Sequence, residues 1–305
     1  MPPRFVDPSP EFDPQLPLWA AIAGSHAAEL ADRWRLQPDG EVMNGWMAVV
    51  WPVLDEHGAR RVLKLARPDP LGQAEGVALA AWHGRGAVRL HRHDQELRAV
   101  LLDRLDRERT LGALPIDEAD TVVGDLLTVL RGVDPPAEVV STADELTEWL
   151  DRLTHVDPGQ DVVPQADLDR AKATLADHIA EQRRPETHPE LLHFDLHHEN
   201  VLHTLDQETG TAWRAIDPLP LAGRREWELL APLRNRWADA LATGDPDRAL
   251  RRRLDRFCER ADLDREVAVG CAQAAAVDNL LTVLPGNDDA VFNPPFAVMA
   301  GWTGR

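Results

Sequence analysis

Residues 192–202, with the sequence LHFDLHHENVL, place several side chains that can do chemistry between apolar neighbours. The polar residues of this segment are His193, Asp195, His197, His198, Glu199 and Asn200. Three explanations are open: a metal centre, the polar face of a helix, or a catalytic loop of another kind. The apolar residues do not repeat at helical spacing, which argues against a helix. Histidine and aspartate are zinc ligands, but the order H-x-D-x-H-H is not that of the helical zinc motif, so zinc is the weaker alternative.

The spacing of Asp195 and Asn200 favours a catalytic loop. It matches D-x-x-x-x-N of kinases, in which the aspartate takes the proton of the substrate hydroxyl and the asparagine binds magnesium. Such a site requires a second carboxylate for the metal. Asp217 supplies one at the end of the apolar stretch AWRAIDP. A strand-end aspartate by itself more often caps a turn, so the combination of the three residues supports a metal site.

Phosphoryl transfer also requires a cation that contacts the phosphates. The chain has 33 basic residues, of which only Lys64 and Lys172 are lysines. Lys172 lies in a helical pattern and is expected to face solvent. Lys64 lies in the predicted strand VLKLA, and Glu75 in the following helix is its expected partner. The alternative is that Lys64 and Glu75 are ordinary exposed residues.

Two regions of different pattern must position these residues. Residues 1–105 predict a Pro-rich lead, a helix near 18–34, a strand hairpin around the turn DEHG, a short helix ending at residue 82 and a second strand pair. Residues 106–305 predict amphipathic helices at 116–133, 142–156, 165–183, 225–242, 247–260 and 264–284. A polar segment at 191–223 interrupts them as loop, strand, turn DQETG, strand and loop. The pattern predicts an α+β protein with a small antiparallel β-rich N-terminal lobe, a larger helical C-terminal lobe and a cleft between them.

Composition excludes several classes of partner. The formal charge is -19, which disfavours nucleic acids and anionic membranes and favours a cationic ligand if acids gather near the site. No apolar run is long enough to span a membrane, and the first twenty residues do not resemble a signal peptide. Cys258 and Cys271 fit neither a disulfide framework nor a metal knuckle. We expect a soluble protein that stays in the reducing cytoplasm.

Three blocks carry a family resemblance: LLHFDLHHENVL, WRAIDPLPLAGRREWELLAPLRNRW and LAAWHGRGAVRL. They resemble the aminoglycoside and hydroxyurea phosphotransferase family, over about residues 34–237. The resemblance implies a bilobal protein-kinase-like fold and phosphorylation of a small-molecule hydroxyl with ATP and magnesium. It also implies antibiotic resistance, with a streptomycin-like aminoglycoside as the expected acceptor.

The resemblance also implies roles for individual residues. Asp195 would be the catalytic base and His193 would brace its loop. The magnesium ligands would be Asn200 and Asp217, and the pair that positions the phosphates would be Lys64 and Glu75. The segment from Leu102 through Asp103 to Leu105 would be the hinge whose backbone meets adenine.

The chain departs from the family pattern at several positions. Phe194 stands where the family usually has glycine, so the loop needs a conformation that a bulky residue can hold. The usual Gly/Ser-rich turn is replaced by MNGWMAV, which leaves Asn44 and Gly45 to cover the phosphates. Leu219 replaces a frequent lysine, and Arg224 replaces an acid. These differences indicate a divergent member.

The acceptor site is expected between the catalytic loop and the C-terminal helices. Asp278 and Asn279 are its candidate contacts, with a polar helix face as the alternative. Three functional alternatives stay open: a catalytically impaired pseudokinase, a kinase of another natural product or metabolite, and GTP in place of ATP. The sequence also leaves the oligomeric state open between monomer and dimer.

Overall fold

The structure is a computed structural model that describes residues 16–44, 48–67, 74–155, 163–205, 212–282 and 293–303. It forms two compact units. Unit 1 comprises Met1–Arg109 and Leu202–Ile216, and unit 2 comprises Thr110–Val201 and Asp217–Arg305. The predicted boundary, between residues 105 and 106, lies slightly earlier in the chain than the division after Arg109. The prediction also kept residues 202–216 in the helical region, whereas their contacts are with unit 1.

Unit 1 is a mostly antiparallel sheet with two helices. Its elements are α1 (Leu16–Trp34), β1 (Gln37–Pro38), β2 (Met43–Asn44), β3 (Ala48–Leu54), β4 (Arg60–Ala66), α2 (Glu75–Trp82), β5 (Leu90–Asp94), β6 (Ala99–Asp103) and β7 (Leu105–Thr110). The strand order is β1-β3-β4-β6-β5, and β2 also pairs with β3. The predicted hairpin is β3 and β4. In its turn the Asp55 side chain accepts hydrogen bonds from His57 N and Ala59 N, and Gly58 adopts a φ of 77°.

The hydrophobic core of unit 1 lies between α1 and one face of the sheet. Leu63 and Leu65 of β4 belong to this core with Leu30 and Trp34 of α1. Because side chains alternate along a strand, Lys64 between the two leucines lies on the opposite face.

Unit 2 contains most of the helices. Its first elements are α3 (Ile116–Leu130), β8 (Val140–Ser141), α4 (Thr142–His155), α5 (Gln165–Gln182) and β9 (Glu190–Leu192). Strands β10 (Val201–Thr204) and β11 (Trp213–Ala215), which lie almost entirely in unit 1, come next in the chain. Unit 2 then continues with β12 (Leu221–Gly223), α6 (Leu230–Arg234), α7 (Trp237–Ala242), α8 (Pro246–Ala261), α9 (Arg265–Thr282) and α10 (Asn293–Ala300). Strand β12 pairs in parallel with β8 and antiparallel with β9. Together with the sheet of unit 1, these helices confirm the predicted α+β class.

Strands β10 and β11 complete a second sheet, in the order β11-β10-β7. Ala215 N donates to Gly86 O, and Val88 N donates to Ala215 O, each at 2.9 Å. These bonds attach the hairpin to unit 1. The predicted turn DQETG between the two strands lies outside the described residues.

The predicted helix at 225–242 is wrong. The segment is divided into a 3-10 helix at Arg225–Leu229, then α6, then α7. Asn235 is extended and Arg236 has a φ of 60°, a left-handed conformation that ends α6. The guanidinium of Arg236 stabilises this break, because it donates to the carbonyl oxygens of Leu111 and Leu114.

The short strands β8, β9 and β12 and the helix α10 were not predicted. Strands of two or three residues are too short to show an alternating pattern. Helix α10 begins at Asn293 and has two prolines in its first turn, which obscured the helical pattern. No helix of the described residues has both the length and the apolar character that crossing a bilayer requires.

Candidate active site

Lys64 and Glu75 form a buried ion pair in unit 1. Glu75 is the first residue of α2, and Lys64 Nζ donates to its two carboxylate oxygens at 2.7 and 2.8 Å. The two residues are only 7% and 5% exposed, so the alternative of two solvated residues is wrong. Burying an ion pair in place of apolar residues contributes little to stability, which points to a functional reason for this pair.

Gly76 permits the close approach that places Glu75. A Cβ at this position would lie 2.4 Å from the ring of His93 on β5, so any side chain would force either this ring or α2 to shift. The glycine therefore allows the first turn of α2 to lie beside β5, where the carboxylate of Glu75 reaches Lys64.

In unit 2 the short strands β9 and β12 place two polar segments side by side. Leu192 at the end of β9 pairs with Leu221 at the start of β12. The contact continues beyond the strands, because Leu219 N donates to His193 O at 3.0 Å. Asp195 therefore lies on the loop that leaves β9, and Asp217 lies on the segment that enters β12.

Phe194 adopts the conformation that its usual glycine would favour. Its φ is 63°, which costs an ordinary residue about 1–2 kcal/mol. Two interactions hold it there. The ring packs against Trp149, with the centroids 6.4 Å apart, and the backbone N–H donates to Glu228.

Glu228 holds the backbone at the start of the candidate catalytic loop, residues 193–200. Its carboxylate accepts hydrogen bonds from His193 N at 2.6 Å and from Phe194 N at 2.8 Å. Burial raises its pKa to about 7, and the nearby charge of Asp195 acts in the same direction. The two backbone N–H groups and Arg225 oppose this rise but do not outweigh the burial.

Asp195 is held at both carboxylate oxygens. Oδ1 accepts a hydrogen bond from Arg234 Nη2 at 2.7 Å, and Oδ2 accepts one from Asn200 Nδ2 at 3.0 Å. His197 Nε2 lies 3.5 Å from Oδ2. Burial alone would raise the pKa of Asp195, but the hydrogen bond from His197 and the positive charges around it lower the pKa below its ordinary value. Asp195 is therefore a carboxylate at neutral pH.

Asn200 and Asp217 have the donor atoms that a magnesium site needs. Asn200 Nδ2 donates both to the Asp195 side chain and to its backbone oxygen, at 3.0 and 2.9 Å, which leaves Oδ1 as the atom available to a cation. Asp217 is exposed and has a φ of 56°. Magnesium uses one or two protein oxygens together with water and substrate phosphates, so these two residues fit it.

The three histidines of the loop do not form a zinc centre. His198 Nε2 lies 2.9 Å from Asp120 Oδ1 in the interior, whereas His197 is directed towards Asp195. His193 is fully buried. Within the described residues no three side chains of the ligand types form a group suited to a metal ion. The described geometry therefore does not support zinc binding by these histidines.

The other residues of unit 1 that were predicted to contact the nucleotide lie in strands or outside the described residues. Asn44 ends β2, and Gly45 lies outside the described residues. Asp103 ends β6, and its N–H donates to Arg89 O at 3.1 Å while its side chain accepts a hydrogen bond from Arg61. Leu105 begins β7. The backbone N–H of Asp103 is thus already bonded to Arg89, next to the start of β5.

The two candidate acceptor contacts lie on α9. Asp278 is only 4% exposed and accepts a hydrogen bond from Arg152 Nη2 at 2.9 Å. Burial raises the pKa of its carboxyl group. Asn279 Nδ2 donates to Ala275 O of its own helix at 2.8 Å. The Asp278 carboxylate is therefore buried against Arg152, and the side-chain N–H of Asn279 is bonded within α9.

Comparisons with known proteins determine the family. Residues 33–279 match the family described as aminoglycoside/hydroxyurea antibiotic resistance kinase. The chain belongs to this kinase family. It is 36% identical over 265 residues to the streptomycin 6-kinase of Streptomyces griseus, across 86% of this chain and 83% of the relative. It is 37% identical over 281 residues to the hydroxyurea phosphotransferase of Kitasatospora aureofaciens, across 91% and 78% of the two chains.

The solved structures confirm that the kinase has a phosphotransferase fold. A thermostable mutant of aminoglycoside phosphotransferase APH(4)-Ia, in a ternary complex with ADP and hygromycin B, matches with a TM-score of 0.51 at 15% identity. The match covers 90% of this chain and 98% of that one. The family resemblance seen in the sequence is thus confirmed. The protein is a small-molecule phosphotransferase, and its family implies that it uses ATP.

Among the residues that sequence reasoning missed are Glu228 and Arg234, which contact the candidate catalytic loop of the kinase. Glu228 left a signal, since it is an acid within the apolar run of the segment WELLAPL. Arg234 left none, because arginine is by far the commonest cation of this chain and nothing distinguishes one arginine from the rest.

Proposed function

We propose that this kinase inactivates a small antibiotic by transferring the γ-phosphoryl group of ATP to one of its hydroxyl groups. A streptomycin-like aminoglycoside is the favoured acceptor. The observation that supports the proposal most directly is the state of Asp195. Its carboxylate is held at both oxygens by Arg234 and Asn200 and has a lowered pKa, so it is ready to accept a proton at neutral pH.

The chain's own residues would act as follows. Asp195 accepts the proton of the acceptor hydroxyl while that oxygen bonds to the γ-phosphorus and the bond to the β-phosphate oxygen breaks. Lys64, held by Glu75, provides the positive charge for the phosphates. Asn200 Oδ1 and the Asp217 carboxylate would hold magnesium. When bound, this ion neutralises charge that develops on the phosphate oxygens.

The test is an acceptor screen. Purified protein is incubated with magnesium and ATP and with streptomycin, other aminoglycosides or hydroxyurea. ADP release and the mass of the acceptor are then measured. We expect a mass gain of one phosphoryl group on at least one acceptor, and no gain with the matched Asp195→Asn variant. If ADP never exceeds the level of this variant with any acceptor, a nucleotide-binding pseudokinase becomes the better description.

A second candidate acceptor is a small neutral hydroxyl compound of the hydroxyurea type. It is supported by the hydroxyurea phosphotransferase, which is as similar to this chain as the streptomycin kinase is. The same screen separates the two candidates, because kcat/KM for each acceptor is measured at a fixed ATP concentration. The acceptor with the larger kcat/KM is the better substrate.

We propose ATP as the donor and the cytoplasm as the place of action. Cys258 and Cys271 are both free and buried, which suits a reducing compartment. Competition between ATP and GTP in the same assay tests the donor. A preference for GTP at equal concentrations would correct this part of the proposal.

A further inference from the structure

A buried charge cluster lies beneath the catalytic loop. It consists of Asp120 of α3, His198 of the loop, and Arg253 and Arg256 of α8. Asp120 Oδ1 accepts hydrogen bonds from His198 Nε2 at 2.9 Å and from Arg253 Nη2 at 3.2 Å. Asp120 Oδ2 accepts them from Arg253 Nε at 3.0 Å and from Arg256 Nη1 at 3.1 Å. Asp120 and His198 have no exposed surface, and Arg253 is 5% exposed.

The same cluster reaches the carboxyl end of α6. Arg253 Nη2 also donates to Pro232 O at 2.7 Å, and Nη1 donates to Asn235 O at 3.0 Å. These two carbonyl groups lie on either side of Arg234. The side chain of Arg234 then returns to the loop, where its Nη2 donates to Asp195 Oδ1 at 2.7 Å.

The contacts therefore close a ring. One path runs from Asp195 through Arg234 and the backbone of α6 to Arg253 and Asp120. The other runs from Asp195 through Asn200 and the 3-10 turn at His198–Asn200 to His198, which also meets Asp120. Because buried charges and donors are costly to leave unpaired, the members of such a ring keep one arrangement.

His198 is the link that belongs to the catalytic loop. Since the Asp120 carboxylate only accepts, Nε2 of His198 carries the hydrogen. Its Nδ1 is buried and has no hydrogen-bond partner among the described residues, so a second proton there would be unsatisfied. The imidazole thus serves as a fixed donor to Asp120.

We propose that His198 is a positioning residue that, through Asp120 and Arg253, aligns the catalytic loop with the carboxyl end of α6 so that Arg234 meets the Asp195 carboxylate. The inference rests on the proposed role of Asp195 as the proton acceptor. His198 itself touches neither the acceptor nor the nucleotide in this scheme. It acts through the loop turn that carries Asn200 and through the helix end that carries Arg234.

The test compares three variants. His198→Leu removes the donor, and His198→Gln keeps an N–H at about the same reach. Arg260→Gln is the matched control, because the Arg260–Asp125 ion pair also joins α8 to α3 but does not touch the loop. We expect kcat to fall about 10- to 100-fold in His198→Leu with the KM for ATP changed less than about threefold. In His198→Gln and Arg260→Gln, kcat should stay within about threefold of the wild type.

Hydrogen exchange of the same proteins provides a readout that needs no activity. In His198→Leu, exchange should rise both at residues 193–201 and at residues 230–236. A rise confined to 193–201 would show a purely local role and overturn the inference. An equal loss of kcat in Arg260→Gln would also overturn it, since general loosening of α3 against α8 would then explain the effect.

Two further outcomes are separated by this design. If the wild type phosphorylates no acceptor, the proposed function fails while hydrogen exchange still decides whether the two segments are linked. If His198→Leu does not fold, Arg253→Lys replaces it, because lysine keeps the charge but cannot reach Asp120, Pro232 O and Asn235 O together. Unchanged kcat and unchanged exchange at 230–236 in that variant would contradict the linkage.

Discussion

Two carboxylates of the catalytic loop region have opposite pKa shifts for reasons that their contacts explain. Asp195 receives hydrogen bonds from Arg234 and Asn200 and has His197 nearby, so its charged form is favoured. Glu228 is enclosed and receives two backbone hydrogen bonds, which do not replace the hydration it has lost. The two acids therefore differ in their charge near neutral pH, although Glu228 binds the backbone of the two residues that directly precede Asp195.

The raised pKa of Glu228 predicts how stability depends on pH. Between its ordinary pKa and about 7, the folded state binds more protons than the unfolded state, so stability falls as pH rises through this range. Since one pKa unit corresponds to about 1.4 kcal/mol and the pKa rises from 4.5 to about 7, the loss is at most about 3.5 kcal/mol. Urea unfolding from about pH 5 to pH 7.5 should show a larger loss for the wild type than for Glu228→Gln. Equal losses would contradict the assignment.

The proposed metal and proton roles predict different losses. Asp195→Ala should abolish turnover and leave the affinity for magnesium-ATP within about threefold, because this residue acts on the acceptor hydroxyl. Asp217→Ala should weaken that affinity at least about tenfold, because it removes a ligand of the ion. Both affinities are measured by calorimetric titration of the purified variants. Unchanged affinity in Asp217→Ala would remove this residue from the metal site.

The buried pair of Lys64 and Glu75 allows stability to be separated from function. Glu75→Gln alone removes the carboxylate charge that faces the buried Lys64 ammonium and should cost about 3–5 kcal/mol of the free energy of unfolding. The double variant Lys64→Met, Glu75→Leu should recover most of this stability, since two apolar side chains then share the space. It should nevertheless have no kinase activity. An active double variant would show that the pair is only structural.

At the scale of elements, the candidate catalytic loop contains a non-glycine residue in a backbone conformation that favours glycine. Phe194 occupies the left-handed region, and its ring compensates through contact with Trp149 of α4. Trp149 in turn packs edge-on against Trp227, with the centroids 5.9 Å apart. The loop is thus held by aromatic packing on one side and by Glu228 beneath its backbone.

Replacing Phe194 separates packing from backbone strain. Phe194→Ala loses the ring but keeps the strain, and should lower the free energy of unfolding by about 2 kcal/mol. Phe194→Gly also loses the ring but relieves the backbone strain. Part of this gain in stability is offset, because glycine loses more chain entropy on folding. We therefore expect the glycine variant to be more stable than the alanine variant by about 0.5–1 kcal/mol in chemical unfolding. The reverse order would mean that this backbone conformation is not strained.

How far the sequence predicts the fold depends on the length of each element. Helices α4, α5 and α8 were predicted almost to their ends because several turns repeat the same apolar face. The break before α7 was not predicted. Its cause is the left-handed backbone conformation of Arg236, which is stabilised by carbonyl groups far away in the chain. The same distinction applies to the site. Lys64, Asp195, Asn200 and Asp217 follow a spacing, whereas Arg234 and the buried cluster beneath the loop depend on contacts that only the fold creates.

At the scale of the whole molecule, the charge of -19 affects the approach of ligands. A cationic acceptor is attracted by this field, and salt screens the attraction beyond about 10 Å at 0.1 M. We expect kcat/KM for an aminoglycoside to fall several-fold between about 0.05 and 0.3 M KCl. Hydroxyurea, which is neutral, is the control acceptor at the same ATP concentration. An equal fall for both would indicate that salt acts on nucleotide binding instead.

Unit 1 is built from two segments of the chain that are far apart in sequence, and this affects its folding during synthesis on the ribosome. Strand β7 ends at Thr110, but its partner β10 begins only at Val201 and β11 ends at Ala215. During translation, the growing polypeptide must expose the outer edge of β7 until some ninety further residues have been made. A nascent chain that stalls before this point carries an unpaired strand, to which chaperones or other copies of the chain can bind.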